Sequence, residues 1–411
     1  MIGWGQGKMS MDEINEVIDY AGTFGIEVIP SLELCGHMEK ILSLEPYSEY
    51  SEMGGVLDGD RRECQKFVSE LLEEALQFFP SEYIHIGGDE TWFLGRGKSL
   101  NRYRVFKGPE IYVRLHKMLI EKVLSCGKIP ILWGDMLLGG YVDKGVSEVW
   151  REVIDERIWE KCIIANWDYA PSREESFREK IETMEKRGLT QWVSPGLHDA
   201  NKFYPNIESA EQNVTSFLQA GRGTNGFLVT SWGDDGRESL YSHILPLLFI
   251  PRALWNKSSW EKEWEEVSRE SKGIISARKL FGNKVLSTTH KMFLYSNPYL
   301  RKYDGNFEKV KDDYEKAISV EVSLPEELAM IKELYTLCHQ KYTGGVPPQR
   351  YISLAKRYRD VWLKERKPYG VERIFGRLWY TAGLTECSLP QMSRDAAAGS
   401  KFEHIVEPNH G

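Results

Sequence analysis

Tyr83-Ile84-His85-Ile86-Gly87-Gly88-Asp89-Glu90 is the stretch on which the fold of this chain turns. A short apolar run of this kind reads as a strand, and it follows a helical stretch from Cys64 to Phe79 that Pro80 stops. The strand delivers His85 to one face. Two glycines then let the backbone bend and a ligand come close, and two adjacent carboxylates sit at the rim. Helix, breaker, strand and glycine turn together make one unit of a parallel α/β architecture.

The same unit recurs on both sides. Upstream, Met11 to Phe24 has helical spacing (Ile14, Val17, Ile18, Ala21), and Gly25 closes it before the run Ile26-Glu27-Val28-Ile29-Pro30. Downstream, a helix over about 109–125 leads to Ile129-Pro130-Ile131-Leu132-Trp133. The strand candidates Cys162 to Trp167, Thr190 to Val193 and Gly226 to Trp232 follow, so six strands are counted. After about residue 255 the strand signals fade into Lys/Glu-rich helical segments such as Ser258 to Ala277 and Leu324 to Leu337. The expected organisation is a (β/α) barrel portion over 1–254 and an α-helical region over 255–411, with a frayed end from about Ser388.

Composition sets the outer limits. At 411 residues, with 41% hydrophobic and 12% aromatic side chains, the chain can bury a large core, which excludes disorder and collagen-like repeats. Lys plus Arg number 53 against 61 Asp plus Glu, a net charge of −8, which argues against a nucleic-acid partner. Asp12, Glu13, Glu16 and Asp19 near the start exclude a basic-then-apolar signal peptide, and no uncharged apolar run is long enough to cross a bilayer. The six cysteines are scattered, with no C-x-x-C pair and no Cys/His metal spacing. A cytoplasmic enzyme with structural thiols and no metal is expected.

Candidate site residues cluster at the strand ends, where parallel α/β proteins bind ligands. Trp133-Gly134-Asp135, Trp167-Asp168-Tyr169 and Trp232-Gly233-Asp234 repeat one pattern: an indole beside a carboxylate. A single such Trp is ordinary core; three at equivalent positions suit a sugar ring, which has apolar faces and a polar rim. At Asp89-Glu90 two neighbouring carboxylates in a partly desolvated cleft repel each other, so one keeps a proton and serves as general acid. Glu90 has the longer arm. Other catalytic readings fail: Gly95-Arg96-Gly97-Lys98-Ser99 would need glycine where Trp92 stands to be a phosphate loop, and neither H-E-x-x-H nor G-x-S-x-G occurs.

The string His85-x-Gly87-Gly88-Asp89-Glu90, with Gly25 to Pro30 and Gly36-His37 ahead of it, resembles the family 20 glycoside hydrolases, the β-N-acetylhexosaminidases. Further likeness lies in Trp133-Gly134-Asp135, Trp192-Val193-Ser194-Pro195-Gly196 and Gly226 to Asp234, together spanning about residues 10–255. The resemblance implies a (β/α)8 barrel that releases terminal β-linked GlcNAc or GalNAc with retention. The substrate's own 2-acetamido group is then the nucleophile, an exception to the two-carboxylate rule. It implies no cofactor. Asp89 would orient the acetamido group, and Glu90 would act first as acid and then as base. Trp133, Trp167 and Trp232 would wall the pocket, and Tyr169 would bond the acetamide oxygen. Asp135 and Asp234 would accept bonds from sugar hydroxyls, with His37 and His85 behind them.

Two departures from the family pattern are visible. Glu33 stands where the family has Asp, and Leu197-His198-Asp199-Ala200 stands where a small-residue and Trp segment is expected, so one aromatic wall is missing or moved. Gly25 to Ile29 is similar to the family's third strand, and the first two strands, with their sugar-gripping Arg, have no counterpart. Six strands do not close an eight-stranded barrel, and unpaired parallel edges expose backbone and apolar side chains. An open barrel that is poorly stable or associates with itself is expected. The alternative function is a catalytically impaired fragment or carbohydrate-binding remnant of such an enzyme; a barrel glycosidase with a distant carboxylate nucleophile is disfavoured, because no second Glu ends a matching strand.

Overall fold

The computed structural model describes residues 8–138, 150–170, 172–200, 202–233, 240–255, 259–294 and 307–368, with scattered positions from there to 381. Its centre is a five-stranded parallel sheet in chain order: β3 Tyr83–His85, β4 Ile129–Trp133, β5 Ile163–Trp167, β6 Gln191–Ser194 and β7 Gly226–Phe227. A small antiparallel hairpin of β1 Ser51–Met53 and β2 Val56–Leu57, absent from the sequence reading, precedes it. Sequential parallel neighbours, with the helices Gly108–Ser125, Glu174–Glu185 and Ile207–Ala220 joining β3 to β4, β5 to β6 and β6 to β7, are the arrangement of a (β/α) barrel, here an arc among the described residues rather than a ring.

The two faces of the arc follow from side-chain alternation. Ile131, Trp133, Ile163 and Ala165 point inward and form a small cluster with Tyr83, Trp167, Trp192 and Leu228. Ile84, Leu132 and Ile164 point outward into the core under the flanking helices. The pairing His85 with Ile131, and Trp133 with Ala165, sets the inward residues at matching heights.

The expected first strand is extended but pairs only at one point, where Ser31 bridges His85 in parallel. His85 N–H donates to Pro30 O and Leu32 N–H donates to His85 O, each at 2.9 Å. The segment lies at the sheet edge, and Ile26 is 61% exposed there. The helix Met11–Gly22 beside it, closed at its start by a capping box between Ser10 and Glu13, buries none of its residues. At the other edge β7 is shorter than the run Gly226 to Trp232, although rungs continue as Leu228 N–H to Val193 O at 3.0 Å and Thr230 N–H to Pro195 O at 2.9 Å.

The helical region occupies the places expected, with one division. The stretch after Ser258 forms two helices, Trp260–Ser268 and Lys272–Phe281, separated by Arg269 in the left-handed conformation. Its core is continuous with that of the arc: Phe249 and Ala253 share one cluster with Trp260, Phe281, Tyr335 and Leu378. Cys387 and the segment from Ser388 onward lie outside the described residues, and the other five cysteines are free thiols. Among the described residues no helix is long and apolar enough to cross a membrane.

Arg278 sits fully buried in this helical core. Its guanidinium donates to Glu270 at 2.5 Å and 2.6 Å and to Glu327 at 2.9 Å, and it lies 5.5 Å from the ring centres of Tyr241 and Trp264. Removing the cation strands two carboxylates in a largely dry site, so Arg278→Ala is expected to lower the unfolding free energy by about 3–5 kcal/mol. Denaturant unfolding measures this; a loss under about 1 kcal/mol would class the cluster with ordinary surface pairs.

Candidate active site

The site is built on the turn after β3. Gly87 and Gly88 have φ of +71° and +98°, and Glu90 follows at +46°. A side chain at Gly87 would place its Cβ 2.1 Å from Glu33 Oε2, and one at Gly88 would lie 2.7 Å from Leu132 Cδ1. Glycine is therefore required at both positions by conformation and by space. The turn is tied from below: Tyr112, on the helix Gly108–Ser125, donates its hydroxyl to Gly88 O at 2.9 Å. Asp135 Oδ2 accepts the Glu90 N–H at 2.9 Å.

These ties set Asp89 and Glu90 in different surroundings. Asp89 is 8% exposed, and its carboxylate shares a side-chain hydrogen bond with Glu33. The Glu90 side chain is 42% exposed. His37 lies between them, its Nε2 3.3 Å from Asp89 Oδ2 and 3.5 Å from Glu90 Oε2. The hydrogen bond to Asp89 raises the His37 imidazole to about 9, so it is cationic at neutral pH. The sequence reading sets His37 in support of Asp135 and Asp234. The structure brings it forward because Gly36 presses on the turn, where a Cβ would meet Asp89 O at 2.6 Å, and His37 then turns at φ +50°.

Glu33 packs behind Asp89. Burial and the neighbouring Asp89 charge push its carboxyl up to about 8, so it keeps its proton at neutral pH. His85 is 4% exposed; its Nδ1 accepts the Gly87 N–H at 3.0 Å, its ring centre lies 4.3 Å from that of Trp133, and burial lowers it to about 4, leaving it neutral.

Asp135 differs from its expected place on the sugar. It is 4% exposed and bonds inward, Oδ2 to the Glu90 N–H and Oδ1 to the Trp167 indole N–H at 3.2 Å. Register is the cause: Trp133 N–H donates to Gly87 O at 3.1 Å and Gly134 N–H to Ala165 O at 3.0 Å, which carries Asp135 beneath the turn. Burial pushes its carboxyl up to about 7.

The aromatic side chains at the strand ends lie close together. Trp167 stacks on Tyr169 with ring centres 4.9 Å apart, Trp133 and Trp232 lie 5.9 Å apart, and the Trp232 indole N–H donates to the Tyr169 hydroxyl at 2.9 Å. Asp234 lies outside the described residues. Tyr112 and Asp199 were missed as site residues. Tyr112 carries no signal beyond its helix, whereas Asp199 was visible only as a departure from a family pattern. Among the described residues no group of three or more His, Cys, Asp or Glu could hold a metal ion.

Comparison with known proteins bears on the same residues. Residues 5–169 match the profile of the glycosyl hydrolase family 20 catalytic domain. Hexosaminidase D of Homo sapiens is 25% identical over 259 residues, which is 58% of this chain and 51% of that protein, so the match spans about half of its length. A beta-hexosaminidase of Vibrio furnissii is 34% identical over 156 residues, covering 34% of this chain and 26% of that one. Among solved structures, the beta-N-acetylhexosaminidase of Bacteroides fragilis aligns with a TM-score of 0.45 at 17% identity, covering 63% of this chain and 55% of that one. The glycine turn, its two carboxylates and His37 all lie inside residues 5–169, the segment that is similar to the glycosyl hydrolase family 20 catalytic domain.

Proposed function

We propose that the protein is a retaining exo-β-N-acetylhexosaminidase that hydrolyses terminal β-linked GlcNAc or GalNAc through an oxazolinium intermediate. The observation that carries this reading is the pair of carboxylates on one glycine turn in unlike surroundings, Asp89 8% exposed and the Glu90 side chain 42% exposed. An acetamido N–H entering between the indoles would donate to the Asp89 carboxylate. Asp89 would thereby turn the acetamide oxygen toward the anomeric carbon and balance the charge that develops on its nitrogen.

Glu90 is the proton donor to the leaving oxygen and then the base for water, a role that suits its exposed side chain at the mouth. His37, between the two carboxylates, offsets their mutual repulsion. Glu33 stays protonated behind Asp89 and adds no second negative charge there. Trp133, Trp167, Tyr169 and Trp232 exclude water and press the acetamido group into line, with Tyr169 assigned to the acetamide oxygen. Asp135 works at one remove, holding the Glu90 backbone and the Trp167 ring.

Two outcomes follow. The chain is expected to turn over an aryl β-N-acetylglucosaminide but not the matching β-glucoside, which lacks the internal nucleophile; Glu90→Gln should lower kcat by about a hundredfold or more. Binding of a thiazoline mimic of the cyclised intermediate without turnover by the parent chain would instead favour a sugar-binding remnant. The second outcome concerns Glu33. The folded chain holds a proton there up to about pH 8, whereas an unfolded glutamate releases it near about 4.3. Its contribution is complete below the unfolded value and is lost as pH rises toward 8. Glu33→Gln should therefore gain thermal stability relative to the parent at about pH 9 compared with about pH 5. Melting curves at the two pH values check this, and an unchanged difference would refute a buried protonated Glu33.

A further inference from the structure

Beyond β6 and β7 the two chains continue side by side. The donors on the β7 side alternate in register: Leu228 N–H to Val193 O at 3.0 Å, then Thr230 N–H to Pro195 O at 2.9 Å. The next donor in this series is Trp232 N–H. By then the neighbouring chain has turned away, with Leu197 N–H returning to Thr230 O at 2.9 Å and His198 at φ +53°. The third rung is filled by a side chain: Asp199 Oδ1 accepts Trp232 N–H at 3.0 Å. Its other oxygen accepts the Ser231 hydroxyl at 2.5 Å and lies 3.4 Å from His243 Nδ1, on the short helix Leu240–Ile244.

We infer that Asp199 is the positioning residue for Trp232, holding that indole as one wall of the acetamido pocket. The inference rests on the reading of the site as such a pocket. Asp199 is itself 2% exposed and does not reach the cleft. Trp232 is 36% exposed. Besides the Trp133 ring 5.9 Å away, it meets the Tyr169 hydroxyl at its indole nitrogen and Asp199 at its backbone. A charged acceptor that takes a backbone N–H and a hydroxyl in a dry site is worth more than a neutral rung and fixes the peptide plane from which the ring projects.

The test uses the full chain and the variants Asp199→Ala, Asp199→Asn, Trp232→Ala and the double substitution with Ala at both positions. The probe is the N-acetylglucosamine thiazoline, with melting curves to normalise for folded protein. A second readout is the indole N–H resonance of Trp232, assigned with Trp232→Phe. Asp199→Ala should weaken thiazoline binding by about tenfold or more, the range set by loss of a buried charged hydrogen bond. The double variant should bind no more than about twofold worse than Trp232→Ala, because the two residues act as one unit. Asp199→Asn keeps an acceptor for Trp232 N–H and should recover part of the binding. Asp199→Ala should also shift the Trp232 indole signal, and Asp199→Asn should restore it.

A lower melting point with unchanged thiazoline affinity and an unmoved indole signal would overturn the inference, leaving Asp199 a purely structural residue. So would additive losses in the double variant. If the parent chain fails to bind the thiazoline, the pocket reading fails, and the positioning is then decided by the indole signal alone: displaced in Asp199→Ala and restored in Asp199→Asn supports it, unmoved overturns it.

Discussion

The backbone between Gly87 and Glu90 takes positive φ at three of its four residues, at +71°, +98° and +46°. This turn is the constraint on which the rest depends. It brings two neighbouring carboxylates off one strand end in different directions, one into the cleft wall and one to its mouth. Left-handed conformation at Glu90 carries a cost that glycine would avoid, and such strain persists only where the surroundings enforce it. The surroundings here are the Tyr112 hydroxyl on Gly88 O, the Asp135 carboxylate on Glu90 N–H and the Gly36 segment pressed against Asp89 O. Sheet register supplies the second of these indirectly, since it fixes where β4 ends and so where Asp135 stands.

A cluster of four carboxyls around that turn cannot carry four charges. Glu33, Asp89, Glu90 and Asp135 share the space with one imidazolium, His37. The structure resolves the conflict by burial. Glu33 is pushed up to about 8 and Asp135 to about 7, because each is shielded from water and faces Asp89. His37 is raised to about 9 by its bond to Asp89. Desolvation thus neutralises the carboxyl behind the turn, while the single cation sits between the two carboxylates in front. His85 remains neutral under Trp133 and adds no charge to the pocket floor.

Much of this was legible in the chain itself. The helix-breaker-strand rhythm located β3 to β6 within a residue or two, because buried parallel strands read as short apolar runs whatever their neighbours. The Gly87-Gly88-Asp89-Glu90 turn and the Trp133, Trp167 and Trp232 endings stand out for the same local reason. What escaped depended on partners distant in sequence. Ile26 to Pro30 has strand composition, yet the segment meets β3 only around Pro30, Ser31 and Leu32. Asp135 looked like a sugar ligand until register buried it, and His37 looked like a supporting residue until Gly36 set its depth. Asp199 occupies an irregular loop where no periodicity points inward or outward. Its role appears only once Trp232 N–H is seen to fall where a ladder has run out of backbone acceptors.

That last point bears on the helical region. Ser242 and His243 on one short helix face different polar groups: Ser242 Oγ accepts from Arg278, and His243 meets Asp199. Arg278 is in turn bound to Glu270 and Glu327. A run of buried polar contacts therefore leads from the helices after residue 260 through Leu240–Ile244 to the loop beneath Trp232. Buried polar contacts of this kind are sensitive to the loss of any member, because the partner left behind is desolvated and unpaired. The same helices share one apolar core with β6 and its following helix, so they cannot relax independently of the strand ends. The helical region is thus structurally joined to the loop that holds Trp232, at the side of the arc farthest from the glycine turn.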